Sequence, residues 1–145
     1  MNEPGGVVGV VCPEEHGLLD FVSLMGGAMA TGNAVAMAPS MAQVLIATDL
    51  YQELDASAVP GGVVNTVTDK QALGLELAKR DAVDAIWYFG AAEAVAEMEK
   101  ASASNLKPTW TETVIRDWAD QAISGGGEVL QRAVQVKNIW IPYGK

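Results

Sequence analysis

Short apolar runs rich in β-branched residues alternate with longer, alanine-rich runs over most of this chain, and that alternation constrains the fold more than any other feature. Residues 7–12 carry no polar side chain that would face solvent, so both faces of the predicted strand are apolar, as expected of a strand covered by helices on two sides. Residues 18–30 carry apolar side chains at helical spacing and end before Gly32. We expect the buried stripe of this helix to hold Leu18, Phe21, Val22, Met25 and Met29.

The same alternation continues to about residue 111. Pro39 suits the first turn of a helix, and Asp69 suits an N-cap position. The predicted strands are 34–38, 63–67 and 85–89, with an extended segment at 106–111, and the predicted helices are 41–54, 70–79 and 91–100. Strands that alternate with helices at this spacing indicate an α/β fold with an open, mostly parallel, doubly wound sheet and helices on both faces.

The last thirty residues break the pattern. A short amphipathic helix is predicted over 113–123, with Trp118 on its apolar side, and one or two helical turns over 128–133 follow three glycines. Residues 136–143 predict a terminal strand with apolar groups on both faces. Such a strand either joins the sheet of another domain or subunit, or caps the sheet of its own domain. We divide the chain into an α/β domain, 1–113, and a C-terminal tail, 114–145.

Length and charge exclude several classes of function. A chain of 145 residues forms one domain of common size. Nine Lys and Arg against eighteen Asp and Glu give a formal charge of −9, which argues against nucleic acid and membrane surfaces as partners. The single cysteine, Cys12, has no partner for an internal disulfide, and no stretch resembles a leader or a membrane span. We therefore expect a cytoplasmic protein.

Few side chains in the sequence suit catalysis or metal binding. Cys12 ends an apolar strand, where a thiol usually behaves as a small buried hydrophobe. His16 is the only histidine, so a histidine-based metal cluster is excluded. Neighbouring carboxylates such as Glu14 and Glu15 are interpreted as solvated surface rather than as a paired acid and base. The sequence predicts no metal site.

Residues 32–41 read Gly-Asn-Ala-Val-Ala-Met-Ala-Pro-Ser-Met. This run resembles the Gly-Asn-(Thr/Ala)-Val-Val-Leu-Lys-Pro-Ser-Glu signature of aldehyde dehydrogenases. In that family the Lys and the Glu bind the adenosine ribose of the nicotinamide cofactor, whereas Ala38 and Met41 stand at those positions here. Residues 60–67, Pro-Gly-Gly-Val-Val-Asn-Thr-Val, also resemble a family turn and strand. The resemblance implies a Rossmann-like cofactor domain that lacks both charged side chains.

Residues 84–95 are similar to the family segment Asp-Lys-Ile-Ser-Phe-Thr-Gly-Ser-Thr-Glu-Val-Gly. In the family this loop holds the cofactor pyrophosphate at a helix N-terminus, using a hydroxyl and free backbone donors. Gly90 is retained, but Ala91 replaces the serine and Val95 the last glycine. The degenerate cofactor-binding set that the resemblance implies is Gly90, Ala91, Ala38, Pro39 and Ser40.

The resemblance also places two catalytic positions of the family on this chain. Glu15 stands where the family has an Asn that donates a hydrogen bond to the oxyanion, and a carboxylate cannot supply that donor. Glu112 stands at the position of the general-base Glu, but the Leu-Gly-Gly-Lys that follows it is absent. A base without a reactive thiolate has nothing to deacylate, so we interpret Glu112 as structural and predict no catalytic residue.

Residues 135–144 read Gln-Val-Lys-Asn-Ile-Trp-Ile-Pro-Tyr-Gly. With the absence of a catalytic domain, this ending is most similar to the non-catalytic second domain of family sixteen aldehyde dehydrogenases. The resemblance implies a pseudoenzyme domain or fragment that serves assembly in an NAD(P)-dependent enzyme oxidising aldehydes to carboxylic acids. Its partner would be a second copy or the catalytic domain of the parent enzyme. The interaction residues would be Trp140, Ile141 and Tyr143.

A second function stays open at this point. Gly90 and the helix after it retain the backbone part of a phosphate site, so the chain could be a residual nucleotide-binding module. We expect no bound cofactor under the first function and weak binding of NAD or NADP under the second.

Overall fold

The computed structural model describes residues 1–15, 17–68, 70–124 and 126–142. Side chains are described throughout these ranges except at residues 70–72. The strands are β1 (Asn2–Pro4), β2 (Val7–Val11), β3 (Ala34–Ala38), β4 (Val64–Thr66), β5 (Ala85–Phe89), β6 (Thr109–Glu112) and β7 (Val134–Val136). The helices are α1 (Leu18–Ala30), α2 (Val44–Ala56), α3 (Lys70–Lys79), α4 (Ala92–Ser102), α5 (Gln121–Ser124) and α6 (Gly127–Arg132). Short 3₁₀ turns, Met41–Gln43 and Ala103–Asn105, precede α2 and follow α4.

Five of the strands form a parallel sheet in the order β4-β3-β2-β5-β6. The central strand β2 pairs with β3 on one side and with β5 on the other, and Val8 lies opposite both Val35 and Ala85. The order of the strands along the chain therefore reverses between β2 and β5. This arrangement confirms the predicted open, doubly wound, Rossmann-like α/β fold.

The sheet separates two apolar layers, because successive strand residues point to opposite faces. Val10 and Trp87 lie in a cluster with α1 and the tail, whereas Val11 and Tyr88 lie in a cluster with α3 and α4. Helices thus cover both faces, as predicted. Within the described residues, none of the helices combines the length and apolar character needed to cross a bilayer.

Helix α1 has the predicted bounds but not all of the predicted buried stripe. Phe21 and Met25 are buried as expected, whereas Leu18 and Val22 are 48% and 40% exposed, so their predicted burial was wrong. Asp20 is fully buried instead. Its Oδ1 accepts hydrogen bonds from the Phe21 N–H (2.6 Å) and from the side-chain amide of Gln43 (2.7 Å), which compensate for the loss of solvent. A count of apolar residues cannot anticipate a buried acid of this kind. The remaining buried positions of the helix are Leu24 and Ala28.

The tail departs from its prediction in two places. The helix predicted over 113–123 is limited to Gln121–Ser124, although Trp118 is buried as expected. The predicted terminal strand is displaced: β7 covers Val134–Val136 and pairs antiparallel with β1, so the end of the chain pairs with its own beginning in a separate small sheet. The last backbone bonds of that pair join Met1 and Lys137. Residues 137–142 are not part of a strand.

Tail residues contribute to the main core. Val129 and Ala133 are buried in the same cluster as Phe21 of α1 and Val35 of β3. Residue 27 of α1 must be a glycine for this contact, since a Cβ there would lie 2.4 Å from Cγ1 of Val129. The division at residue 113 stays a prediction.

Candidate functional site

A groove of about 1340 Å³ lies at the carboxyl ends of the parallel strands. Open α/β sheets bind ligands at this edge, where the strand order reverses, and here the reversal lies between β2 and β5. Its wall includes the segments that follow β2, β5 and β6, together with residues that follow β3 and β4 and residues of α3 and α4. The polar or motif residues on the wall include Glu14, Glu15, Gly90, Ala91, Glu112 and Arg116.

The structure brings two of the five predicted cofactor positions to this groove. Gly90 and Ala91 lie on its wall, whereas Ala38 and Ser40 are buried and, like Pro39, are not among the described residues that line it. Met41, at the position of the motif's glutamate, lines the groove with a thioether that cannot bind the hydroxyls of a ribose as a carboxylate does.

A buried glutamine holds the turn that contains Pro39 and Ser40. Gln43 accepts a hydrogen bond from the Ser40 N–H (2.8 Å) through Oε1, and its Nε2 donates to Asp20 Oδ1 (2.7 Å) and to the Gly17 carbonyl (3.0 Å). Gln43 was not among the predicted site residues. The Ser-x-x-Gln spacing at 40–43 is the signal that could have found it, since it is typical of a capping box.

At the end of β5, the side chain of Tyr88 covers Gly90. Residues two apart on a strand point to the same face, and the Tyr88 hydroxyl oxygen lies 2.6 Å from the place that a Cβ on residue 90 would take. Burial raises the pKa of Tyr88, the Ala91 N–H opposes that shift, and the carboxylates of Glu14 and Glu93 raise the pKa further. The phenol is therefore protonated at neutral pH.

The carboxylate of Glu112 is held by two donors. Its Oε1 accepts hydrogen bonds from Arg116 Nη2 (2.5 Å) and from Trp110 Nε1 (3.0 Å). The bond from Arg116 is the main reason that the pKa of Glu112 lies below its ordinary value, although partial burial acts in the opposite direction. Arg116 also donates to Glu128 Oε2 (2.8 Å), which joins the end of β6 to α6. An ionised carboxylate that already accepts two hydrogen bonds is a weak candidate for a general base.

The other two positions that concern catalysis are also unsuited to it. Cys12 is fully buried, and its backbone N–H donates to the Ala38 carbonyl (3.0 Å). The exposed Glu15 accepts a hydrogen bond from the Glu14 N–H (3.1 Å) and presents an acceptor to the groove. His16 lies outside the described residues. Elsewhere in the described chain, no group of three His, Cys, Asp or Glu side chains could hold a metal ion.

Two of the three predicted interaction residues, Trp140 and Ile141, follow β7, which pairs with β1 ahead of the central strand β2. Trp140 is 91% exposed, and Ile139 and Ile141 beside it are also exposed. The tail leaves the fold at the amino ends of the strands, because Asn33, directly before β3, donates to the Ala133 carbonyl directly before β7 (2.7 Å). Tyr143 lies outside the described residues.

Two further residues at the groove escaped the sequence analysis. Tyr88 could have been found from strand alternation, which places its ring and Gly90 on one face. Arg116 lies four residues after Glu112, a spacing at which charges pair on a helix, but residues 113–120 are not helical and the ion pair depends on the turn that follows β6.

Sequence comparison relates this chain to known enzymes. The aldehyde dehydrogenase family model matches residues 1–114. The betaine aldehyde dehydrogenase of Bacillus subtilis is 32% identical over 108 residues, which are 74% of this chain and 22% of that protein. The NADP/NAD-dependent aldehyde dehydrogenase PuuC of Escherichia coli is 32% identical over 114 residues, 77% of this chain and 23% of that protein. The chain thus spans about a quarter of the curated relatives that it matches.

Structural comparison gives the same relation. The aldehyde dehydrogenase KauB of Pseudomonas aeruginosa matches 78% of this chain with a TM-score of 0.73 at 30% identity, and the match covers 23% of that structure. A betaine aldehyde dehydrogenase of Staphylococcus aureus, solved in complex with NAD⁺, matches 77% of this chain with a TM-score of 0.72 at 25% identity, over 23% of its own length.

Proposed function

Since this chain belongs to the aldehyde dehydrogenase family, we propose that it is a non-catalytic domain of that family and serves assembly. The parent activity under this proposal is the NAD(P)-dependent oxidation of an aldehyde to a carboxylic acid, carried out by another part of the enzyme. Within the family, we propose that the chain is a domain of the same kind as the non-catalytic second domain of family sixteen enzymes. The ending at 135–144 supports that finer assignment.

The observation that carries the proposal is the exposed apolar segment after β7. Ile139, Trp140 and Ile141 are adjacent in sequence and all exposed, with Trp140 almost completely so. Exposed contiguous apolar surface marks interaction sites, and an extended segment can add a strand to the edge of a partner sheet. A tryptophan is also the type of residue that anchors protein interfaces. The partner that we propose is a second copy of the chain or the catalytic domain of the parent enzyme.

The state of the family's catalytic positions supports the non-catalytic part of the proposal. The only cysteine of the chain, Cys12, is fully buried directly after β2, and burial in apolar surroundings disfavours the thiolate that a nucleophile needs. Glu112 is bound by Arg116, and Glu15 offers an acceptor where the chemistry needs a donor.

Sedimentation velocity on the full chain tests assembly through a second copy. We expect dimers or larger species at micromolar concentration, and monomers when Trp140→Ser and Ile141→Ser are combined. Leu106→Asn is the matched control, because Leu106 is 90% exposed but far from the tail in sequence and already has the positive φ that asparagine tolerates. A wild-type chain that stays monomeric to about 100 μM, well above ordinary dimer affinities, would contradict self-assembly. Equal loss of the dimeric or larger species in Leu106→Asn would contradict it as well.

The second candidate function, residual nucleotide binding, has one supporting observation. Gly90 and the N-terminus of α4 keep the backbone arrangement of a phosphate site at the edge of the sheet where ligands bind. Calorimetric titration with NAD and NADP tests it. Binding tighter than about 1 mM, roughly −4 kcal/mol, would favour this function over the first.

A further inference from the structure

The groove at the carboxyl ends of the strands does not fit the nicotinamide cofactor that the family resemblance implies. At two positions of the family motifs the groove presents Met41 and Ala91, which have no carboxylate for the ribose and no hydroxyl for the pyrophosphate. Glu14 and Glu15 also line the groove and are exposed, and their negative charges repel phosphate. A ligand that suits these side chains is therefore of another kind.

Exposed apolar side chains are the first feature of the groove that indicates its ligand. Met41, Val114 and Ile115 line it and are 81%, 74% and 65% exposed. The groove volume of about 1340 Å³ is larger than the roughly 300–1,000 Å³ of a usual small-molecule pocket. An exposed apolar surface of this size is typical of a site for a segment of protein.

Negative charge is the second feature. The exposed Glu97 of α4 lines the groove together with Glu14 and Glu15. Arg116 is the only basic residue in the described part of the lining, and its guanidinium already forms ion pairs with two carboxylates. A segment that complements this groove is therefore both apolar and basic.

The last part of the chain has this composition. Residues 129–145 contain three of the nine Lys and Arg of the chain and none of its eighteen Asp and Glu. Within them, the apolar run 139–142 lies between Lys137 and Lys145. Trp140 is 91% exposed, so this run is not seated in the groove of its own chain. It can therefore bind to the groove of another copy.

We propose that the terminal segment, residues 137–142, of one copy binds in the groove of a second copy, with Trp140 against the apolar side chains and Lys137 facing the carboxylates. Lys137 pairs with Glu3 in its own chain (3.2 Å), but a surface ion pair of this kind is weak and is readily exchanged. The inference rests on the proposed assembly through a second copy and states which surface receives the segment. Because the contact joins two different surfaces, each copy supplies one segment and one groove.

Sedimentation velocity on two full-length variants, alone and mixed, tests the proposal. The groove variant combines Glu15→Lys and Glu97→Lys, which reverse the charge of two exposed residues of the lining. The tail variant combines Trp140→Ser and Ile141→Ser, which are exposed as well. Exposed substitutions of this kind have little effect on folding.

The matched control for the groove variant combines Asp49→Lys and Glu53→Lys. Both residues are exposed on α2 and are not among the described residues of the groove, and the change in net charge is the same. The control therefore separates charge reversal in the groove from the change in charge of the whole chain.

We expect the groove variant to associate at least about tenfold more weakly than the wild type, because its new lysines would repel the lysine of the incoming segment. The control should associate as the wild type does. An equal mixture of the groove variant and the tail variant should form a dimer that neither variant forms alone, since one intact segment then meets one intact groove.

A groove variant that associates as strongly as the wild type would overturn the proposal, and loss of association in the tail variant alone would indicate contact between two tails. A mixture that stays monomeric, or equal weakening in the control, would overturn it as well. In each of these cases the wild type still associates, so assembly through a second copy would stand. A wild type that stays monomeric would contradict both.

Discussion

Glu112 shows how a family position can keep its residue type and change its chemistry. A general base needs a carboxylate that can take up a proton near neutral pH. The two hydrogen bonds from Arg116 and Trp110 stabilise the ionised form, and the guanidinium also lies over the Trp110 ring, 5.1 Å from its centroid. The residue has become part of a polar connection between β6 and α6.

The first prediction concerns the acid stability of this connection. Because the pKa of Glu112 is lower in the folded chain than its ordinary value of about 4.3, its contribution is complete above that pH and is lost as the pH falls through the folded value. Glu112→Gln should cost about 1–3 kcal/mol at pH 7. The variant should also lose less stability than the wild type between about pH 5 and pH 3. Urea unfolding of the wild type and of Glu112→Gln at pH 7, pH 5 and pH 3 measures these differences in stability.

The control is Glu53→Gln on α2, because Glu53 is exposed and its substitution should change the free energy of unfolding by about 0.5 kcal/mol or less. If Glu112→Gln and the wild type lose the same stability on acidification, Glu112 is not the ionised partner that the geometry indicates.

At the scale of elements, helix α1 shows what periodicity can and cannot predict. Its bounds match the prediction from the apolar spacing and the glycine after it, and the bounds of α3, β3 and β5 also match their predictions. Which side of the helix is buried could not be predicted in the same way, because it depends on the hydrogen bond between Asp20 and Gln43, which are 23 residues apart in sequence. A second feature of α1 that periodicity does not reveal is the different surroundings of its two adjacent glycines.

The second prediction uses this pair of glycines. A Cβ at Gly27 would lie 2.4 Å from Cγ1 of Val129 in α6, whereas nothing lies within 4 Å of one at Gly26. Gly27→Ala should therefore lower the free energy of unfolding by about 1–3 kcal/mol through overpacking. Gly26→Ala should raise it by about 0.5–1 kcal/mol through helix propensity. Chemical denaturation of both variants measures the contrast, and shifts of the same sign would contradict the packing of α6 on α1.

The segment before α5 shows why the helix predicted over 113–123 is confined to its last turn. Asp117 and Asp120 accept hydrogen bonds from backbone N–H groups two residues later, at Ala119 (3.0 Å) and Ala122 (2.9 Å). Aspartate side chains of this kind compete with helical hydrogen bonding and favour turns. The helical spacing of Trp118 relative to its neighbours reflected burial against the Phe89 ring rather than a helix.

At the scale of the whole molecule, the two edges of the sheet carry different parts of the proposed function. The carboxyl edge holds the groove, and the amino edge holds the paired ends of the chain and the exposed segment after them. The motifs indicated this edge from sequence, because they name the loops after β3 and β5, but of the five predicted cofactor positions only Gly90 and Ala91 line the groove. They could not show that the Tyr88 ring lies against Gly90, since that contact depends on the rotamer of a residue two positions away.

Asn33 connects the amino edge into one unit. Its Oδ1 accepts a hydrogen bond from the Gly6 N–H before β2 (2.8 Å), and its Nδ2 donates to the Ala133 carbonyl before β7 (2.7 Å) and to the Ala28 carbonyl of α1 (3.1 Å). The side chain is almost completely buried, so no solvent replaces these partners if it is removed. One amide therefore joins the sheet, α1 and the segment that carries the exposed tail.

The last prediction follows from that position. Asn33→Ala leaves the Gly6 N–H and the Ala133 carbonyl without this partner, and should lower the free energy of unfolding by about 2–4 kcal/mol. Asn65→Ala removes an exposed amide that bonds to the Gly62 carbonyl and should change it by about 0.5 kcal/mol or less. Chemical denaturation measures both, and hydrogen exchange at Val134–Val136 reports whether β7 has separated from β1. If Asn33→Ala costs no more than Asn65→Ala, or leaves exchange in β7 unchanged, the paired ends are held by contacts other than this amide.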